Sequence, residues 1–195
     1  MINLKKYRLS YFICFTLIFL CILPGCSQEQ KYDAFYNSVV SKNGNYCFRN
    51  LTKGMTWEEV QKKEKIEHET IGKSAYETYI TESAVYFEEL GISFRRGYTF
   101  DGFDHLERAN YVFITDNEDE LREVCAKLAD FARERLNSNP MEGSAEMIAV
   151  LPTKEEAKTN LVTRWYDKSE DGTSLEIWVH PYIANGKRVR ITVRY

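Results

Sequence analysis

Residues 116–136, DNEDELREVCAKLADFARERL, carry the clearest periodic pattern in the chain and decide the fold class. The apolar positions form one stripe with the 3.6-residue period of a helix: Leu121, Val124, Cys125, Leu128, Phe131, Ala132 and Leu136. Acids crowd the first turn, and Arg133 and Arg135 lie in the last turn, so both ends complement the helix dipole. The stretch predicts an amphipathic helix that packs its apolar face on a core.

Three strands are predicted after this helix, at residues 161–166, 174–181 and 188–195, with turn-forming residues between them. Apolar and polar side chains alternate in the second and third strands. This alternation predicts an antiparallel sheet with one face on a core and the other face in solvent.

The residues before the long helix predict a similar succession of elements. Thr56 and Glu59 form a capping box that starts a short helix, residues 57–65. The other predicted elements are a helix at 31–41 and strands at 46–49, 75–81, 84–90, 92–100 and 106–114, with a hairpin turn at 101–105. Residues 141–158 give no clear pattern apart from a second capping box, Thr153 and Glu156.

Helix, strands, helix, strands is the order of an α+β domain with two layers. We therefore expect an antiparallel sheet covered on one face by helices. Residues 46–115 and 116–195 would form two loosely repeated halves, each a helix followed by a meander.

The N-terminus has the pattern of a secretory signal. Lys5, Lys6 and Arg8 precede an apolar run that ends at Leu23-Pro24-Gly25-Cys26. These four residues resemble a bacterial lipobox. The resemblance implies cleavage before Cys26, attachment to its thiol of a diacylglycerol with palmitate-type acyl chains, and anchoring on the extracytoplasmic side of a membrane in the bacterial cell envelope.

The lipobox divides the chain into three parts. Residues 1–25 would be a lipoprotein signal peptide, residues 26–45 the lipidated cysteine and a tether, and residues 46–195 a single domain. An ordinary signal peptide with an incidental Cys26 and an uncleaved signal anchor remain alternatives.

Composition narrows the function classes further. Residues 26–195 contain 23 Lys and Arg against 29 Asp and Glu, a net charge of −6 that disfavours nucleic acid as a partner. Cys47 and Cys125 are compatible with a disulfide or with free thiols. His68, His105 and His180 are far apart and there is no CxxC, so we expect neither a metal site nor a cofactor.

Gly54-Met-Thr-Trp-Glu-Glu-Val60 and the hairpin at 98–113 carry a second resemblance. Together they are similar to the helix start and meander of the small barrel-assembly lipoprotein and of the tandem-repeat β-lactamase-inhibitory proteins. The resemblance covers roughly residues 46–115. It implies a helix-on-sheet binding module without catalytic residues.

The chain contains no Gly-x-Ser-x-Gly, Walker, GxGxxG or HExxH motif, so we expect no catalytic residues. The candidate binding surface is the solvent side of the last two strands: Glu176, Trp178, His180, Arg188, Arg190 and Arg194. Aromatic residues and arginine are enriched at protein interfaces. Cross-strand ion pairs from Glu176 to Arg188 or Arg190 are the alternative interpretation, and the helix at 31–41 could instead cover this face.

The sequence therefore favours a membrane-anchored, non-catalytic binding or assembly module whose partner is another envelope protein. Two alternatives stay open: an extracytoplasmic enzyme that acts on wall or glycan, and an immunity-type lipoprotein that blocks an incoming factor.

Overall fold

The computed structural model describes residues 31–66, 71–73, 78–159, 162–183 and 186–195. Residues 31–195 form one compact unit. The helices are α1 Asp33–Val39, α2 Trp57–Glu64, α3 Glu118–Arg135, α4 Ala145–Ala149 and α5 Lys154–Thr159. The strands are β1 Ile71–Lys73, β2 Thr78–Phe87, β3 Ile92–Phe100, β4 Leu106–Thr115, β5 Glu142–Gly143, β6 Val162–Lys168, β7 Ser174–Ile183 and β8 Gly186–Arg194.

The predicted signal peptide, its lipobox and the first tether residues, 26–30, lie outside the described residues, and so does His68. None of the helices in the described part of the chain has the length and hydrophobicity needed to span a membrane.

The strands form one antiparallel sheet in the order β1-β2-β3-β4-β8-β7-β6-β5. Each half of the chain contributes a four-stranded meander, and the last strands of the two meanders, β4 and β8, pair at the centre, where Tyr111 lies opposite Ile191. The α+β class with helices on a sheet is thereby confirmed. The strand order is also the one that two helix-plus-meander halves joined edge to edge would give.

The core lies between the helices and one face of this sheet. Leu121, Val124, Cys125, Leu128, Phe131 and Ala132 of α3 are buried as the stripe predicts. Val60 of α2 and Ile148 of α4 belong to the same core as the inward residues Ile177 and Ile191 of β7 and β8. Phe35 of α1 completes the core, because its ring contacts Phe87, Phe94, Tyr111 and Phe131 with centroids 4.8–5.8 Å away.

The end of α2 is tied to the sheet by a buried ion cluster that the sequence did not predict. The Glu64 carboxylate accepts hydrogen bonds from Arg49 Nε at 2.8 Å and from Arg96 Nη1 and the Tyr98 hydroxyl at 3.1 Å each. Burial and the Glu64 charge raise the pKa of Tyr98. The start of α2 has the predicted capping box between Thr56 and Glu59.

Some predicted boundaries are wrong. Residues 46–49 make only an isolated bridge, Val40 to Tyr46, in place of a strand. Residues 75–77 of the strand predicted at 75–81 lie outside the described residues. The rest of that strand and most of the one predicted at 84–90 form a single strand, β2, whose register with β3 shifts between Ile80 and Ala84. The domain also begins earlier than residue 46, because Tyr32, Phe35 and Val39 are buried in the core and residues 31–45 are not a tether.

Candidate functional site

The six candidate residues lie together on the sheet face opposite the helices. Trp178 is paired in register with Arg190, and His180 with Arg188. Since Leu175, Ile177 and Val179 of the same strand point into the core, the intervening residues of β7 point away from it. Binding of a partner by this face stays a prediction.

The register extends the face beyond the residues found from sequence. One row of side chains crosses the sheet through Arg95 on β3, Val112 on β4, Arg190 on β8 and Trp178 on β7. A second row contains Arg108 on β4 opposite Arg194 on β8. We call this surface the arginine face and define it by Arg95, Arg108, Arg188, Arg190 and Arg194 together with Glu176. No sequence pattern links β3 or β4 to β8, so only the strand pairing could place Arg95 and Arg108 here.

Glu176 contacts other residues of the sheet face, but its partners are not the ones predicted from the sequence. Its carboxylate is 3.4 Å from Arg194 Nη2 and accepts a hydrogen bond from Trp178 Nε1 at 2.7 Å. Arg194 lies diagonally opposite, since Thr192 is the direct register partner. The predicted pairing of Glu176 with Arg188 or Arg190 is therefore wrong.

The face is less open to solvent than predicted. Glu176, His180 and Thr192 are only 6%, 8% and 4% exposed, whereas Arg188 and Arg190 are partly exposed. Long arginine stems lie along a surface and keep their charged ends in water. They therefore cover the shorter side chains between them.

Arg188 and Arg190 carry charges that nothing else in the described chain neutralises. Neither forms an ion pair with a described residue, and the Nε of each is buried without a hydrogen-bond partner there. Burial lowers the pKa of Arg188. Burial, and then the positive charges of Arg188 and Arg108, lower the pKa of Arg190.

His180 and Thr192 add further unpaired polar atoms. Within the described residues, His180 Nδ1 and Thr192 Oγ1 are buried and have no hydrogen-bond partner. Burial and the neighbouring Arg188 charge lower the pKa of His180, so its ring favours the neutral form. Buried polar groups are normally satisfied, so His180 Nδ1 and Thr192 Oγ1 have hydrogen-bonding capacity that the described residues leave unused.

Apolar side chains lie on the same face of the sheet as the unpaired arginines. Ile114, paired with Arg188 in register, is 38% exposed. Tyr86 on β2 is 62% exposed, and its neighbour Phe87 points into the core, so Tyr86 points to the arginine face. Trp178 is partly exposed.

Helix α1 does not cover this face. Its residues Phe35 and Val39 are buried in the core on the opposite side of the sheet. The alternative in which residues 31–41 make Trp178 part of a core is therefore wrong, and Trp178 stays accessible.

Cys47 and Cys125 are free thiols, so the disulfide that the sequence allowed is not formed. Cys47 Sγ contacts the Leu51 carbonyl at 3.3 Å, while Cys125 is buried under α3. Burial raises the pKa of Cys125 to about 12 and also raises the pKa of Cys47. Both thiols are accordingly held in the protonated, weakly nucleophilic form.

Two cavities lie away from the arginine face, beside the loop that follows α1. The first, of about 460 Å³, is lined in part by Tyr46, Asn137 and Asp167. Asp167 accepts hydrogen bonds from the Tyr46 hydroxyl at 2.8 Å and from Asn137 at 3.0 Å. The second, of about 500 Å³, is lined in part by Cys47 and Tyr195.

The remaining titratable groups of the described residues do not assemble into a metal centre. Among the described residues, no three His, Cys, Asp or Glu side chains are grouped so that they could hold a metal ion. His105 lies 3.5 Å from Asp101 at an exposed hairpin turn. There Asp101 accepts the backbone N–H groups of Phe103 and His105, and these bonds lower its pKa. The short distance between His105 and Asp101 therefore follows from the geometry of the hairpin turn.

Comparison of the chain with protein-family models, with curated proteins and with solved structures finds no match.

Proposed function

We propose that this protein is a lipid-anchored binding module of the bacterial cell envelope, which contacts another envelope protein through the arginine face. The observation that carries the proposal is the pair of partly exposed arginines, Arg188 and Arg190, which form no ion pairs among the described residues. Ile114 and Trp178 lie next to them on the neighbouring strands, and Tyr86 lies on the same face of the sheet. Arginine and large aromatic residues supply much of the binding energy at interfaces.

The anchor in this proposal is Cys26. The lipobox at Leu23 to Cys26 precedes the described domain, which begins at Lys31. A lipid on Cys26 would hold the domain at the membrane surface without a spanning helix, because two acyl chains give durable attachment. The partner would then be a protein of the same compartment.

The chemistry of the other polar groups supports binding over turnover. A nucleophilic cysteine needs a lowered thiol pKa, whereas burial raises the pKa of Cys47. Asp167, a carboxylate that lines the first cavity, already accepts hydrogen bonds from Tyr46 and Asn137. A general acid or base needs a free proton position directed at a substrate.

Site-specific photocrosslinking in intact cells tests this function. The full-length chain would carry benzoylphenylalanine in place of Tyr86, which is aromatic and well exposed on the arginine face. The matched control places the same group at Glu123, whose side chain is 65% exposed on α3. We expect a discrete crosslinked protein from position 86 that is absent from position 123.

Identical products from both positions, or none from position 86 when the protein is present in the membrane fraction, would overturn the proposal. Accumulation of a small-molecule product that depends on Tyr46 and Asp167 would instead favour an enzyme.

A further inference from the structure

We propose that the arginine face receives an extended acidic segment of the partner protein, with carboxylates at alternate positions that pair with Arg188 and Arg190. This inference rests on the proposed function and names the chemistry of the partner.

The spacing of the two arginines selects an extended segment. Arg188 and Arg190 are two residues apart on β8 and point to the same face, so their Cα atoms lie about 6.6–6.8 Å apart. Side chains at alternate positions of an extended peptide repeat at the same distance. Each guanidinium can then meet one carboxylate, and the planar fork of arginine suits bidentate pairing.

The unpaired positive charge of the arginine face favours an anionic ligand. Glu176 already lies beside Arg194 and Trp178, and Glu107 lies 3.2 Å from Arg108. No described carboxylate pairs with Arg188 or Arg190. Arg95, in the same row as Arg190, is exposed and adds a third positive charge.

Partial burial of Arg188 and Arg190 should strengthen the binding of an anion. A charged group that is partly removed from water and lacks a partner costs free energy, and Arg188 and Arg190 have buried Nε atoms without partners in the described chain. A carboxylate that docks on them replaces the lost hydration. The complex should therefore be more resistant to unfolding than the free protein.

The surroundings favour a protein segment over a phosphate group. A phosphate concentrates its charge at one point, whereas the unpaired arginines form a line along β8. Ile114 and Trp178 are the neighbours of that line on the adjacent strands, and exposed Tyr86 lies farther along the same face. Such a combination of aromatic residues and arginine is typical of protein interfaces. Side chains between the acids of an extended segment would pack there.

The test uses the full-length lipoprotein in neutral detergent micelles and three synthetic octapeptides. In the first, Glu and Thr alternate; the second has the same composition with the Glu residues in adjacent pairs; the third has Gln in place of Glu. Calorimetry gives the affinities, and thermal unfolding gives the stabilisation. We expect the alternating peptide to bind best, the paired peptide more weakly, and the Gln peptide not to bind.

Variants then locate the binding site. Arg188→Gln and Arg190→Gln should each weaken binding of the alternating peptide by about tenfold, the usual effect of losing a charge-assisted hydrogen bond. Arg122→Gln is the matched control, because it removes the same charge from the exposed surface of α3 and should change nothing. Circular dichroism verifies that each variant is folded.

Equal binding of the alternating and paired peptides, or equal loss in all three variants, would overturn the inference. Tighter, Arg190-dependent binding of inorganic phosphate or of phosphatidylglycerol vesicles would overturn it in favour of a phosphate ligand. If crosslinking from position 86 identifies a partner while no acidic peptide binds, the inference fails and the proposed function survives. If position 86 yields no partner, the proposed function fails whatever the peptides do.

Discussion

Replacing Glu64 by Gln should destabilise the fold more than any change of a surface carboxylate, because Glu64 is the anion of a buried cluster. The Glu64 and Arg96 side chains are 3% and 8% exposed. Arg49 is 34% exposed and can turn towards water once its partner loses its charge. The cost therefore lies with Arg96, whose charge stays buried beside a neutral amide. Removing one partner of a buried pair costs about 3–5 kcal/mol, and we expect this loss in the free energy of unfolding.

Urea unfolding at neutral pH, followed by circular dichroism, measures this loss. The matched control is Glu134→Gln, since Glu134 pairs with Lys31 at 3.3 Å with both side chains about half exposed, at 44% and 54%. An exposed pair is worth below about 1 kcal/mol. Replacing both members of the buried pair with apolar residues, Glu64→Leu with Arg96→Met, should recover most of the loss. If Glu64→Gln costs no more than Glu134→Gln, the cluster does not hold α2 to the sheet.

Three further predictions concern the helix, the histidine and the anchor. Leu128→Ala should lower the free energy of unfolding by about 2–5 kcal/mol because Leu128 is fully buried. The control, Lys127→Ala on the surface, should lower it by less than about 1 kcal/mol. Equal losses in urea unfolding would show that the buried face of α3 is wrongly assigned. Since the folded pKa of His180 is lowered from 6.5, the unfolded chain takes up its proton first, and stability should fall as pH drops through about 6.5. Melting temperatures between pH 5 and 8 should show a smaller decline in His180→Gln, and the same slope in both proteins would contradict this. Cys26→Ser should lose labelling by a fatty-acid analogue and leave the membrane fraction, and undiminished labelling would rule out this lipidation site.

The elements that the sequence predicts well are those with strong local patterns. The stripe around Leu128 and the alternation of Leu175, Ile177 and Val179 each determine which side of their own element is buried. Capping residues such as Thr56 fix where a helix begins. These signals lie within a few residues of one another, so they can be found without knowing the tertiary structure.

The parts that the sequence misses depend on contacts between distant residues. Strands β1 and β5 have three and two residues, too few for an alternation to be visible. The cluster around Glu64 joins α2 to Arg49 and Arg96, and its partners are identified only once the fold is known.

Only part of the candidate site can be predicted from the sequence. Residues of β7 and β8 are found from alternation within each strand, but Arg95 and Arg108 join them only through the pairing of β3, β4 and β8. Alternation overestimates the solvent exposure of Glu176, because it predicts the face of a residue and not what the neighbouring side chains cover. Arg194 and Trp178 lie beside its carboxylate and shield it.

The most direct test of the account is the yield of the crosslink from position 86 in cells when the two unpaired arginines are neutralised. Arg188→Gln together with Arg190→Gln should reduce that yield at least about tenfold, because each arginine contributes a charge-assisted contact. Arg122→Gln should leave the yield unchanged, since Arg122 lies on α3. An unchanged crosslink from the double variant, with the protein folded and in the membrane fraction, would contradict the claim that the arginine face is the contact surface.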